Sequence, residues 1–246
     1  MNVFIIGGTS GIGLALASYY HLQGNRVGVC GRDLQKLTDE SRFEKYQADV
    51  TNIVQLQNVI QQFAGERALS LLINCAGSYA EDVADDISYE EAVTMLQTNI
   101  MGTVNCLEVG RKAICHTGGQ IVLLASISGI LDYPESSLYT KTKRSVMQIA
   151  DAYRRALRPY GIAITTIAPG YVDTQKLRDL NHNDLSKKPF LVTEAQAVRE
   201  ITQAITEKKA LLLFPKQMKW LMRFLSYMPS FLLSKIMYKK AHYMKK

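Results

Sequence analysis

Val3-Phe4-Ile5-Ile6-Gly7-Gly8-Thr9-Ser10-Gly11-Ile12-Gly13 runs an apolar stretch directly into a glycine-rich turn, and a helical pattern begins at residue 11. Glycines at such a junction permit a tight turn, let the backbone approach a pyrophosphate, and let helix and strand pack closely. The N-terminus of the following helix offers free N–H groups and the positive end of its dipole to an anion. A strand, a glycine turn and a helix in that order open an α/β unit.

The same rhythm continues outward from this turn. Short apolar runs predict strands at 2–6, 26–30, 44–48, 69–74, 120–125, 162–167 and 210–214. Helical patterns fall between them near 11–23, 33–40, 52–65, 88–116, 137–158 and 193–207. The strands are continuous apolar runs, such as Ile121-Val122-Leu123-Leu124, rather than alternating ones. Strands buried on both faces read this way, so the expected fold is α/β: a Rossmann-type, doubly wound, parallel seven-stranded sheet in three α/β/α layers. The expected organisation is a single domain over 1–214 with an extension over 215–246. Hydrophobic residues make up 47% of the 246, enough for a sizeable core. The four cysteines, Cys30, Cys75, Cys106 and Cys115, have no metal-ligand spacing and read as buried thiols, and no metal site is expected. No basic leader precedes the first strand, and no stretch reaches the roughly 18 uninterrupted apolar residues of a spanning helix. The expected location is therefore cytoplasmic.

The glycine spacing, Gly7, Gly11 and Gly13, resembles the T-G-x-x-x-G-I-G turn of the short-chain dehydrogenase/reductase family, with Ile6 in place of the threonine. The second strand ends in Gly31-Arg32-Asp33. An acidic side chain at such a strand end holds a ribose 2′-hydroxyl, whereas an arginine suits a 2′-phosphate through forked, charge-assisted hydrogen bonds. Gly31 stands at the acidic position and Arg32 follows it, which favours NADP(H) over NAD(H); otherwise Arg32 only caps a surface turn. Ala48-Asp49-Val50 ends the third strand, and Asn74-Cys75-Ala76-Gly77 resembles the family's N-N-A-G with Cys75 replacing an asparagine.

Tyr139 and Lys143 are four apart and share a helix face. A nearby ammonium favours the phenolate and tunes a tyrosine toward acid/base work; taken alone, the pair also reads as an ordinary surface pair. Ser126 lies at the end of the fifth strand, where a hydroxyl can stabilise charge developing on a substrate oxygen. Asn99 sits inside a long helical pattern, where asparagine is unfavourable; the alternative is a satisfied buried amide. Asn99, Ser126, Tyr139 and Lys143 match the family's Asn-Ser-Tyr-Lys tetrad, and Pro169-Gly170-Tyr171-Val172-Asp173-Thr174 resembles its P-G-x-V-x-T segment. The resemblance spans about 1–214.

It implies reversible hydride transfer between nicotinamide C4 and a carbonyl or secondary alcohol, with Tyr139 as acid/base and Ser126 orienting the oxygen. Lys143 would lower the Tyr139 pKa and bind the nicotinamide ribose, and Asn99 would anchor a relay water. The cofactor contacts it implies fall to Gly7, Thr9, Ser10, Gly11, Ile12, Gly13, Arg32, Asp49, Val50, Asn74, Ala76 and Gly77. Pro169, Gly170, Val172 and Thr174 would complete them around the nicotinamide. It also implies a homodimer or homotetramer through the helices near 88–116 and 137–158. The principal rival is a non-catalytic NADP(H)-sensing protein on the same fold.

Two segments stand outside this frame. Residues 169–192 read as a long irregular loop, either a lid or a surface insertion. Residues 215–246 carry eight Lys/Arg and no acidic residue, while the rest of the chain carries 21 Lys/Arg against 22 acidic residues, so the +7 net charge belongs to the tail. That distribution argues against a nucleic-acid-binding protein. The tail reads as two short helices, Lys216 to Leu225 and Ser230 to Lys240, broken at Pro229. Its basic, aromatic and aliphatic mixture suits peripheral contact with an anionic membrane, or packing on the substrate cleft, on a subunit interface or on its own core.

Overall fold

The computed structural model describes residues 1–35, 37, 42–65, 67–80, 87–114 and 118–243, with side chains through 236. Strand β1 (Asn2–Ile6) leads to helix α1 (Gly11–Leu22), then β2 (Arg26–Gly31), β3 (Glu44–Gln47), α2 (Ile53–Ala64) and β4 (Leu71–Asn74). Helices α3 (Tyr89–Leu96) and α4 (Gly102–Ile114) precede β5 (Gln120–Leu124), α5 (Leu138–Leu157) and β6 (Ala163–Pro169). The two-residue strands β7 (Val172–Asp173) and β8 (Val192–Thr193) bracket α6 (Gln175–Leu180); α7 (Glu194–Thr206), β9 (Leu211–Phe214), α8 (Lys216–Ser226) and α9 (Ser230–Tyr243) complete the chain.

The main sheet has seven strands in the order β3-β2-β1-β4-β5-β6-β9, and every pairing in it is parallel. Alternation within β1 shows why the run is apolar throughout. Phe4 and Ile6 enter a core with α2, α4 and α5, which includes Leu56, Ile60, Leu107 and Val146. Val3 and Ile5 enter the opposite core with α1 and α7, which includes Leu16, Tyr20, Ala197 and Ile201. Successive side chains of a strand point to opposite faces, so a sheet covered on both sides demands apolar residues at each position. The chain therefore has the doubly wound, three-layer α/β/α architecture expected from its sequence. The order reverses at β1, between β2 and β4, which places a crevice at the carboxyl ends of these strands.

Local signals start the helices that serve this crevice. Asn52 caps α2 by accepting from the Val54 and Gln55 amides, and Ser137 caps α5 by accepting from the Thr140 amide. Helix α1 differs, since Ser10 makes no side-chain cap bond and no acidic residue lies in the first turn.

Three elements depart from the sequence reading. The helix expected at 33–40 does not form over its described part. Asp33 Oδ1 accepts from the Gln35 amide at 2.9 Å, and the Leu37 amide bonds the Leu34 carbonyl at 3.0 Å. This turn competes with a helix for the same backbone groups; residues 36 and 38–40 lie outside the described residues. The pattern at 88–116 is not one helix but α3 and α4 joined by a π-helical turn, Gln97–Met101; residues 115–116, with Cys115, lie outside. The segment 169–192 is interrupted by β7 pairing with β8 and by α6, capped by Thr174.

Cys30 and Cys106 are buried and Cys75 partly so, all as free thiols. Helix α8 packs on β9 and on the short 3₁₀ turn Ile127–Ile130, with Met218 buried. Among the described residues, no helix is long and apolar enough to cross a membrane.

Candidate active site

The glycine turn is held against β2 by the Gly7 and Gly8 amides, which donate to the Cys30 carbonyl at 2.8 and 3.2 Å. Two glycines here are sterically required. A Cβ on Gly7, whose φ is +73°, would stand 2.7 Å from the Ala76 nitrogen, and one on Gly13 would stand 2.2 Å from the Gly7 carbonyl oxygen. The turn thus brings Gly7 against Ala76 of the next strand end and seats α1 on its own loop. With Ser10 leaving the first turn of α1 uncapped, its N–H groups face a groove of about 560 Å³. Thr9, Ser10, Gly11 and Leu14 line one side of it, and Asp173, Gln175, Arg178 and Glu194 the other. A further cavity of about 580 Å³ lies between α7 and the start of α8, and neither Tyr139 nor Lys143 borders it.

Around the turn stand the other candidate contacts. The Arg32 side chain is exposed at the end of β2, and Gln47 Nε2 donates to its carbonyl at 3.0 Å. The place a Gly31 Cβ would occupy is taken by Thr9, whose Oγ1 and Cγ2 would each lie 2.8 Å away. Asp49 Oδ1 accepts from the Thr51 amide and hydroxyl at 2.9 and 2.8 Å. Asn74, buried at the end of β4, accepts from the Ala76 amide at 3.0 Å. Thr174 comes over the turn: its Cγ2 lies 3.6 Å from where a Gly11 Cβ would be.

Beyond the ends of β4 and β5, the tetrad residues come together. Ser126 caps the 3₁₀ turn 127–130, and its Oγ accepts from the Ser128 hydroxyl at 3.0 Å. It also hydrogen-bonds Tyr139. Lys143 Nζ donates to the Leu124 carbonyl at 3.0 Å and lies 5.8 Å from the Tyr139 ring centroid. Gly77 meets both remaining members: a Cβ there would lie 3.2 Å from Lys143 Nζ and 3.5 Å from Asn99 Oδ1. Asn99 falls in the π-helical turn, a distortion that recurs at functional positions. Its Oδ1 accepts from the Ser78 amide at 2.9 Å, and its Nδ2 donates to the Ser78 carbonyl at 2.9 Å and to Thr142 Oγ1 at 3.0 Å. The amide is satisfied, and what it holds in place is the loop carrying Gly77.

The electrostatics differ from the sequence reading. Burial pushes the Tyr139 hydroxyl up to about 12, and Tyr79 adds to the rise while the Ser126 hydrogen bond opposes it. Lys143 is itself pulled down to about 8, first by burial and then by the Lys176 ammonium. The depressed tyrosine pKa expected from its lysine neighbour is absent here, because desolvation disfavours both charged forms.

Four residues that build the site were not singled out by the sequence. Tyr79 meets Tyr139 edge-on with ring centroids 5.0 Å apart. Thr142 bridges Asn99 to the Tyr139 carbonyl, donating at 2.8 Å. Lys176 of α6 donates to the Gly77 carbonyl at 3.3 Å across the cleft. Asn105 of α4 is buried and donates to the Val50 and Thr51 carbonyls at 3.0 and 3.1 Å, fixing the loop that carries Asp49. Only Thr142, inside Tyr139-Thr140-Lys141-Thr142-Lys143, carried a local signal. Among the described residues, no three His, Cys, Asp or Glu side chains cluster as metal ligands would.

The class these features define is a doubly wound parallel α/β protein with a polar cluster at its strand-order reversal. Residues 1–185 match the short chain dehydrogenase family model. A Staphylococcus aureus protein described as an uncharacterized oxidoreductase is 30% identical over 217 residues, spanning 83% of this chain and 90% of its own. A Staphylococcus haemolyticus protein of the same description is 33% identical over 178 residues, covering 69% and 77%. Among solved structures, ElxO with NADP bound is similar at a TM-score of 0.76 and 26% identity, covering 86% of this chain and 96% of that one. A short chain dehydrogenase from Burkholderia cenocepacia, in complex with NADP, shares the fold at a TM-score of 0.79 and 21% identity, covering 92% of each. The chain belongs to the short-chain dehydrogenase family and is an oxidoreductase of that family.

Proposed function

We propose that this protein is an NADPH-dependent carbonyl reductase, reversible as a secondary-alcohol dehydrogenase, with Tyr139 as its acid/base. The observation that carries the proposal is the convergence of four side chains beside an uncapped helix N-terminus: Lys143 and Asn99 meet at Gly77, Lys143 lies by the Tyr139 ring, and Ser126 hydrogen-bonds Tyr139. The chain's own residues fit a dinucleotide. The first turn of α1 has no side chain competing for its N–H groups, and glycine is required at Gly7 in the turn before it and at Gly13 within it. Thr9 fills the space that an acidic side chain at position 31 would need, leaving Arg32 as the charged group at that strand end. The NADP-bound relatives support the same choice.

When bound, the reduced cofactor supplies a hydride for the carbonyl carbon. Ser126 holds the carbonyl oxygen by a hydrogen bond that strengthens as negative charge develops on it. Tyr139 gives its phenolic proton to that oxygen, forming the alcohol. Its raised pKa keeps the proton in place until it is needed, which suits an acid in the reducing direction. The Lys143 ammonium, below the tyrosine ring, stabilises the phenolate left behind. The Asn99 side chain is fully engaged, so its main-chain carbonyl, which already accepts from Thr103 at 2.7 Å, is the group left to hold a relay water. The segment carrying Thr174 and Lys176 acts as the lid over the cleft. The catalytic unit is 1–214 and 215–246 is an extension to it. Exposed Leu96 and Met101, just before and at the end of the π turn, provide an apolar surface for a homodimer or homotetramer.

The test is titration of the purified protein with NADPH and NADH, followed by turnover on ketones from small to long-chain. Tyr139→Phe is expected to bind NADPH as the unaltered protein does and to lose about 10²–10⁴ in turnover, the usual share of general acid catalysis. Undiminished turnover in that variant would overturn the acid/base assignment. Absence of cofactor binding would overturn the reductase.

A further inference from the structure

The C-terminal helices keep their aromatic face outside the fold. On and just after α8, Trp220, Phe224 and Tyr227 recur at i, i+4 and i+7, with 64%, 70% and 88% of their surface exposed. The opposite side of α8 is anchored by Met218, only 3% exposed. In α9, Phe231 is 75% exposed, with Leu232 and Ile236 also in solvent, while Leu233 is buried. Lys216, Arg223 and Lys235 are exposed beside these residues, and the Arg223 guanidinium lies 5.9 Å from the Trp220 ring centroid. Exposed aromatic residues in one contiguous set, rather than scattered singly, mark an interaction surface.

We infer that this face docks on the surface of an anionic lipid bilayer. The charge distribution selects that occupant. Residues 215–246 carry eight Lys/Arg and no acidic residue, against a net of −1 for the rest of the chain. Two copies meeting through this face would bring the same cationic patches together, as a two-fold contact requires. Packing on the tail's own core is excluded for the aromatic side chains by their exposure. A cation-flanked aromatic face instead matches an interfacial helix, whose rings enter the headgroup region while lysine and arginine meet anionic headgroups. Because α8 leans on the turn 127–130 that follows Ser126, a docked molecule holds that end of the cleft beneath the bilayer surface. The docking does not depend on the reductase reading; a substrate drawn from the bilayer would.

Trp220 is the chain's single tryptophan and reports directly. Full-length protein is mixed with vesicles of phosphatidylcholine alone or with 30% phosphatidylglycerol, following tryptophan emission and co-sedimentation, with NADPH binding measured on the same samples. The expected result is a blue shift and co-sedimentation with the anionic vesicles only, reversed by high salt. Arg223→Gln/Lys235→Gln is expected to weaken vesicle binding about thirtyfold, from the usual contribution per basic residue near such a surface. Phe224→Ser/Phe231→Ser, at exposed positions that leave the fold intact, is expected to abolish the blue shift. No shift with anionic vesicles, or equal binding to neutral ones, overturns the inference. So does a concentration-dependent dimer that shields Trp220 without lipid, which would make a second copy the occupant. NADPH binding unchanged across all variants separates failure of docking from failure of the fold or of the cofactor reading.

Discussion

Removing the Arg32 guanidinium is expected to erase most of the preference for NADPH over NADH. Arg32 is exposed at the end of β2, with no side-chain partner among the described residues, so it is available to a 2′-phosphate. A charge-assisted hydrogen bond contributes about 1.5–3 kcal/mol, or roughly 10–150-fold in affinity. Exposure and screening at physiological salt place Arg32→Ala near the lower end, about tenfold. NADH, without the phosphate, should be unaffected. The complementary change works through Thr9. Gly31→Asp places a Cβ 2.8 Å from both Thr9 Oγ1 and Cγ2, an overpacking worth about 1–3 kcal/mol, or roughly 2–12 °C in Tm for a chain of this size. Thr9→Ala removes both contacts, leaving only the Thr9 Cβ at 3.4 Å. The double variant Thr9→Ala/Gly31→Asp should therefore recover the lost stability and bind NADH more tightly than the unaltered protein does. Isothermal titration with both cofactors and thermal melts read all arms. An unchanged NADPH/NADH ratio in Arg32→Ala would refute the placement of the 2′-phosphate. Unchanged stability in Gly31→Asp would refute the steric role of Thr9.

Further outcomes concern Lys143 and the glycines of the turn. Burial pulls Lys143 down to about 8, so NADPH affinity should fall as pH rises through that value, by at most about tenfold per pH unit for one proton taken up on binding. Lys143→Arg should flatten the profile. Its effect on stability has the opposite slope: the folded protein releases this proton before the unfolded chain does, so stability contributed by Lys143 rises from about pH 8 to its ordinary value of 10.5. A melt series showing a fall across that window would contradict the assignment. Gly13→Ala should abolish cofactor binding, because its Cβ would lie 2.2 Å from the Gly7 oxygen and the turn must open. Gly11→Ala, whose Cβ would meet only Thr174 at 3.6 Å, should cost about 1–2 kcal/mol for its left-handed φ of +50°. Equal binding by the two variants would count against the close packing of the turn.

What the sequence by itself determined is what depends on neighbours along the chain. Apolar runs marked six of the seven strands of the main sheet, since a strand covered on both faces must be apolar throughout; the edge strand β3, Glu44–Gln47, is polar and only partly buried. The turn Gly7 to Gly13 was legible because only glycine tolerates that backbone path. Tyr139 and Lys143 were legible because helical periodicity puts residues four apart on one face, and Pro229 marked the break between α8 and α9. Tertiary structure decided everything set by groups remote in sequence. The two cores divide β1 residue by residue, and Thr9 fills the space beside Gly31. Asn99 leaves the regular helix for a π turn, where its amide ties down Ser78. Burial and Lys176 together shift Lys143 downward, and burial shifts Tyr139 upward, against the direction that the Tyr139–Lys143 spacing alone suggested. The composition of the tail was plain from the start, but which of its faces stays in solvent is a matter of packing: Met218 and Leu233 turn inward, and that leaves Trp220, Phe224 and Phe231 outside.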